Sequence, residues 1–181
     1  MDVSTFQAWI TEATRLVVDN TDHLTHLDAA IGDADHGINL RRGFEAAQAM
    51  LDETSPATPG AVLTTVGRAL ISKTGGASGP LYGTGFRQAG KTLGEDPDVS
   101  AIQLGTALAA ALAGIRQLGA AADAAARGLQ ATVGLPARKG RASYLGPRTI
   151  GHEDPGAAST VLILQALANA TAGLAMERAA S

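Results

Sequence analysis

The chain contains no cysteine, which excludes disulfides, thiolate metal sites and a cysteine nucleophile. Aromatic residues are scarce, 3% of 181 residues, so Ala, Leu, Ile and Val are expected to build the core. Side chains that small favour closely packed helices. Positive charge is not in excess. The net charge of −3 argues against a nucleic-acid-binding surface and against attraction to anionic membranes. No apolar run reaches membrane-spanning length. The first twenty residues carry Asp2, Glu12, Arg15 and Asp19 in an amphipathic pattern unlike a signal peptide. No partner nucleic acid or membrane is therefore expected, and the expected location is cytoplasmic.

What is present is the pattern of an all-α domain. Hydrophobic residues make up 45% and charged residues 17%, as in a globular protein, and residues 1–181 are read as one domain. Phe6, Trp9, Ile10, Ala13, Leu16 and Val17 recur at helical spacing behind a Ser4/Gln7 capping box. Leu24, Leu27 and Ile31 form a second stretch that Gly32 ends. Leu40, Phe44, Ala47 and Leu51 form a third. Thr58-Pro59 opens a helix carrying Val62, Val66, Ala69 and Leu70, with proline where its missing N–H costs nothing. A helix over Leu81–Leu93 follows, and then one that Ser100 and Gln103 cap. A weaker one spans Ala120–Val133, and the last starts at Asp154-Pro155. Seven or eight helices with short connections predict an antiparallel bundle or barrel.

Three loops, Ile31–Asn39, Gly75–Thr84 and Gly140–Gly156, hold most of the unusual residues. In the first, Asp28, Asp33 and Asp35 can fold onto one another. Three carboxylates that close repel unless a cation sits among them, and hard oxygen ligands suit magnesium or calcium. His36, Gly37, Ile38 and Asn39 open the next helix, whose free N–H groups favour an anion at the same place. A metal-bound polyphosphate satisfies both halves. The plain alternative is that one aspartate caps the helix, but capping accounts for only one of the three. His36 reads as a ligand, a phosphate contact or a base, with phosphate contact preferred for its position.

In the second loop, the small residues around Ala77 and Ser78 let backbone N–H groups reach phosphate, or simply let two helices touch. It is not a Walker loop, since Lys73 precedes the glycines. In the third, Arg141 can fork onto phosphate or stack on a base, while Arg148 reads as a surface charge. Asp154, Pro155 and Gly156 form a strong helix start.

These three segments, in this order, resemble the nucleotide-binding L subunit of bacterial dihydroxyacetone kinase. The same domain occurs in ATP-dependent dihydroxyacetone kinases and fatty acid kinases. The resemblance implies an antiparallel helical barrel with the nucleotide, ADP or ATP, at one end. It implies that Asp28, Asp33 and Asp35 bind two magnesium ions. His36, Gly37, Ile38, Asn39, Ala77 and Ser78 would contact phosphates. Gly119, Arg141, Asp154, Pro155 and Gly156 would line the rest of the pocket. It further implies two partners: a phosphohistidine donor (the M-type protein) and a K-type subunit that holds dihydroxyacetone. A homodimer is left open. No catalytic base is assigned within the chain, because phosphoryl transfer asks mainly for positioning and charge neutralisation.

The sequence departs from that family after Gly119, where a Gly-Asp-Lys-Thr-Met-like segment is expected and Ala120-Ala121-Ala122-Asp123 follows instead. The alternative reading is therefore a non-catalytic or regulatory nucleotide-binding module with a truncated adenine pocket.

Overall fold

In a computed structural model of the chain, the described residues are 1–117, 133, 135, 147, 149–163, 165 and 166. Among them there is helix and no strand. In chain order the helices are α1 (Val3–Asp19), α2 (Thr21–Ile31), α3 (His36–Thr54), α4 (Pro59–Lys73), α5 (Ser78–Leu93) and α6 (Ala101–Gln117). A further helical segment covers 155–163. The expected Ala120–Val133 helix lies outside the described residues, apart from Val133, which sits in a turn.

Most helix starts fall where their chemistry requires. Thr58 caps α4 by accepting the Ala61 N–H at 3.2 Å, with Pro59 in the first turn. Ser100 and Gln103 form the reciprocal capping box, at 2.9 Å and 3.2 Å. Two expectations need correction. The cap of α1 is Asp2 rather than Ser4: its carboxylate accepts the Thr5 N–H at 3.0 Å and the Ser4 hydroxyl at 2.8 Å. A full negative charge is the stronger partner for a helix start, and these hydrogen bonds hold Asp2 down at a pKa of about 2. Helix α5 begins at Ser78, a turn earlier than Leu81, so only 74–77 remain as loop. Pro80 fits within that first turn because no N–H is needed there.

The core is mostly Ala, Leu, Ile and Val, as expected, but the few aromatic residues gather within it. Every phenylalanine and the single tryptophan of the chain are buried in it. Phe6 and Trp9 meet edge-on with centroids 6.0 Å apart. Trp9 lies 5.7 Å from Phe86, which lies 6.3 Å from Phe44. The rings thus join α1, α3 and α5, and Ile10, Leu24, Leu40, Leu63, Leu70 and Val66 fill in around them. Trp9 Nε1 donates to the Ile163 carbonyl at 3.0 Å, which fastens the 155–163 segment to α1.

Helices α4 and α5 run antiparallel with their backbones almost touching. A Cβ on Gly60 would lie 2.8 Å from the Gly90 carbonyl oxygen, and one on Gly67 would lie 2.7 Å from that of Gly83. The reverse contacts, Gly83 on Gly67 and Gly90 on Gly60, are as tight. Two glycine pairs seven residues apart therefore set the spacing of these helices. Helix α3 packs antiparallel on α4 by the same means, with Gly43 against Leu70 and Thr74. The result brings the starts of α3 and α5 to one end of the bundle.

Candidate functional site: three helix starts beside three carboxylates

The site is built around the turn between α2 and α3. Asp28 sits on the last turn of α2, which Gly32 closes. Glycine at 32 leaves room for the Asp28 carboxylate, since a Cβ there would lie 2.0 Å from Asp28 Oδ1 and displace it. Ala34 then takes a left-handed conformation, φ 60°, which turns the chain back on itself. The consequence is that carboxylate oxygens of Asp28, Asp33 and Asp35 all lie within 4.8 Å of one another.

The capping alternative finds a different answer from the one anticipated. Asp35 occupies the cap position of α3, yet its side chain makes no capping hydrogen bond. Asp28 does this instead from the preceding helix: its Oδ2 accepts the N–H groups of Asp35 at 2.9 Å and His36 at 3.2 Å. One carboxylate oxygen of Asp28 is thus spent on holding the turn.

His36 is the hub of the site. Its Nδ1 lies 3.2 Å from Ser78 Oγ at the start of α5, and its Nε2 lies 3.0 Å from Ser159 Oγ in the 155–163 segment. Burial pushes its pKa below the ordinary histidine value, against the pull of Asp28, Asp154 and Asp35 in that order and of the Pro155 backbone. In the neutral form that burial favours, the ring donates from one nitrogen and accepts at the other. Ser159 Oγ can donate to the Gly156 carbonyl at 3.0 Å. With that bond made, Nε2–H donates to Ser159 and Nδ1 accepts from Ser78.

A second tie runs through Tyr82 on α5. Its hydroxyl donates to the Gly156 carbonyl at 2.7 Å and lies 2.6 Å from Ser159 Oγ and 2.8 Å from Thr160 Oγ1. Burial pushes this phenol up to about 12. Asp154 caps the 155–163 segment, its Oδ1 accepting the Ala157 N–H at 2.6 Å. Three helix starts, at His36, Ser78 and Pro155, therefore converge through one histidine.

Most of the sequence-predicted residues meet here: Asp28, Asp33, Asp35, His36, Ser78, Asp154, Pro155 and Gly156. Ala77 is the residue before α5, and Asn39 is buried on the first turn of α3. Ile38 is 56% exposed at the same end. Gly37 has a packing role, since a Cβ there would lie 2.1 Å from the Thr21 carbonyl oxygen. Gly75 likewise lets the chain cross the Asn39 amide, 2.6 Å from a Cβ to Oδ1. Gly119 and Arg141 lie outside the described residues. Tyr82, Ser159, Thr160 and Arg42 were not singled out from sequence. Ser159 lies 123 residues from His36, and no local spacing signals such a contact.

The donor set fits a hard cation. It offers carboxylate oxygens without sulfur, and both imidazole nitrogens of His36 are engaged with hydroxyls. Among the described residues no Lys or Arg forms an ion pair with Asp28 or Asp35. Oxygen ligands beside helix starts, of which that of α5 has no side-chain cap, are the setting in which a divalent cation bridges to phosphate.

The DAK2 domain family matches residues 30–122 and 117–169. The two matched stretches meet at the point after α6 where the sequence departs from the expected pattern. The chain is 38% identical to the ADP-binding subunit DhaL of PEP-dependent dihydroxyacetone kinase 1 from Listeria innocua, over 88% of this chain and 92% of that protein. It is 36% identical to the corresponding Escherichia coli subunit, over 88% and 93%. With the PTS-dependent subunit of Lactococcus lactis it shares 33% over 92% and 97%. The chain belongs to the DAK2 domain family, within its DhaL group. Its fold is also that of part of the dihydroxyacetone kinase of C. freundii, solved with AMP-PNP and Mg2+. The TM-score is 0.66 at 22% identity, over 93% of this chain and 34% of that one.

Proposed function

We propose that this chain is the ADP-binding subunit of a dihydroxyacetone kinase. It holds a magnesium nucleotide across the end of the bundle and passes a phosphoryl group to dihydroxyacetone on a partner subunit. The observation that carries this is the meeting of three carboxylates with three helix starts around His36. The full-length likeness to DhaL subunits supports it. A purely regulatory module is not favoured, because relatives that match over nearly their whole length are kinase subunits.

Asp28, Asp33 and Asp35 would hold magnesium, two ions in the fullest form of the proposal. Magnesium there would neutralise phosphate charge and orient the transferring group. The chain's own contribution is positional. The remaining N–H groups of the first turns of α3 and α5, with the Asn39 amide, face phosphate oxygens, while the Ser78 hydroxyl is given to His36 and the Asp35 and His36 N–H groups to Asp28. Ala77, Gly37, Ile38 and the Asp154-Pro155-Gly156 turn shape the surrounding wall, and Gly119 and Arg141 complete the nucleotide pocket. His36 acts by locking Ser78 and Ser159 in place, and its lowered pKa keeps the ring from adding a positive charge among the carboxylates. No residue of the chain serves as a base, in keeping with a transfer governed by positioning.

The phosphoryl donor is a phosphohistidine on an M-type protein, and the acceptor is dihydroxyacetone held by a K-type subunit. The work is cytoplasmic. Among the described residues no helix is long and apolar enough to cross a membrane. A coupled assay with K- and M-type subunits of a related system tests the proposal. Turnover of dihydroxyacetone that requires this chain is the expected result. Nucleotide binding without turnover would contradict the kinase role.

A further inference from the structure

Arg42 lies on the second turn of α3, and its side chain is exposed. Among the described residues it forms no ion pair with a carboxylate, although the protein is acidic. Its guanidinium instead bridges two neutral oxygens. Nε donates to the Lys73 carbonyl at the end of α4, at 2.8 Å, and Nη2 donates to Asn39 Oδ1, also at 2.8 Å. The first contact suits a cation, because a helix C-terminus carries unpaired carbonyls and the negative end of the dipole. It anchors the fork so that the second contact has a fixed direction.

The second contact decides which way the Asn39 amide points. An arginine has donors only, so the atom of Asn39 that faces it has to be oxygen. The NH2 group then points away, and among the described residues no acceptor takes it. From the other side the backbone of Gly75 closes on the amide: a Cβ there would lie 2.6 Å from Oδ1 and 2.9 Å from Nδ2. Asn39 itself is 8% exposed. A nearly buried amide is thus clamped with its acceptor satisfied and its two N–H donors left over, one turn along α3 from His36.

We infer that Arg42 is a positioning residue of the phosphoryl-transfer site: it fixes the Asn39 amide with its NH2 group toward the nucleotide phosphates. Without Arg42 the amide can rotate and offer its oxygen to an anion, which repels. The inference rests on the proposed nucleotide site, in which Asn39 donates to phosphate.

A double-mutant cycle tests it, read by calorimetry of Mg-ADP binding to the full chain. Asn39→Ala weakens binding about tenfold, the scale of one charge-assisted hydrogen bond. Arg42→Lys keeps the charge but not the fork, and weakens binding about fivefold, as does Arg42→Gln. In the Asn39→Ala background neither arginine substitution has any further effect. The side-chain NH2 resonances of Asn39, identified by their loss in Asn39→Ala, give a second readout. They form one sharp pair in the native protein and broaden or double in Arg42→Lys, which a role confined to stability would not produce. If the Arg42 and Asn39 effects multiply, or if Arg42→Lys leaves both affinity and resonances unchanged, the inference fails while the nucleotide site stands. If Asn39→Ala binds Mg-ADP as the native chain does, Asn39 does not donate to phosphate and the inference falls with that part of the site.

Discussion

His36 Nε2 lies 3.0 Å from Ser159 Oγ, across 123 residues of chain. This contact binds the start of α3 to the 155–163 segment, and Ser78 on the opposite side of the ring brings in α5. Removing the serine hydroxyl leaves a buried imidazole N–H without a partner. Ser159→Ala is expected to lower stability by about 1–2 kcal/mol. It is also expected to weaken Mg-ADP binding by loosening the Asp154–Gly156 turn. Calorimetric melting and titration of the same variant check both.

Within the cluster it shares with Asp33, Asp28 has a second duty. Asp28 also caps α3, through the N–H groups of Asp35 and His36. Asp28→Ala is expected to cost about 1–2 kcal/mol of stability even without metal. Asp33→Asn relieves like-charge repulsion and is expected to cost less. Urea denaturation in the presence of a chelator compares them. Equal losses would show that the cap contributes nothing.

Tyr82 ties α5 to Gly156, Ser159 and Thr160, and burial raises its pKa from 10.0 to about 12. A folded-state pKa above the unfolded one means the protonated phenol is favoured by folding. That stability is whole below pH 10.0 and is lost as pH rises through about 12. An ultraviolet difference titration of the native chain against Tyr82→Phe is expected to show a phenol ionising near the upper value. Ionisation at the ordinary value would contradict the buried network.

The α4–α5 contact predicts opposite signs for two glycine-to-alanine changes. Gly67→Ala would press a methyl group 2.7 Å from the Gly83 carbonyl oxygen and 2.5 Å from Arg87 Cγ, and is expected to destabilise by about 1–3 kcal/mol. Gly105→Ala on α6 meets nothing within 4 Å and is expected to stabilise by up to about 1 kcal/mol, as alanine does inside a helix. Thermal denaturation of the two variants checks the pair.

Much of this was legible in the sequence wherever the cause is local. Thr58-Pro59, Ser100/Gln103 and Asp154-Pro155 announce their helices because capping is a matter of neighbouring residues. The three aspartates announce their meeting because Gly32 and a short turn leave them little else to do. What was hidden depends on contacts between distant segments. Glycines 60, 67, 83 and 90 are legible as flexible residues but not as facing pairs, since the facing is set by how α4 and α5 cross. The aromatic cluster was masked by its low count: a few rings suffice when Phe6, Trp9, Phe44 and Phe86 converge from three helices. Ser159 and Arg42 carry no motif at all. Their roles follow only from where the fold sets His36 and Asn39.

The central claim is that Asp28, Asp33 and Asp35 hold a magnesium nucleotide. Titration calorimetry of ADP into the native chain and into Asp33→Asn, each with magnesium and with chelator, tests it most directly. The account predicts tight binding by the native chain with magnesium only, and a loss on the order of 100-fold in Asp33→Asn, as expected when a metal ligand is removed. Equal ADP affinity with and without magnesium, or an unchanged affinity in Asp33→Asn, would contradict it.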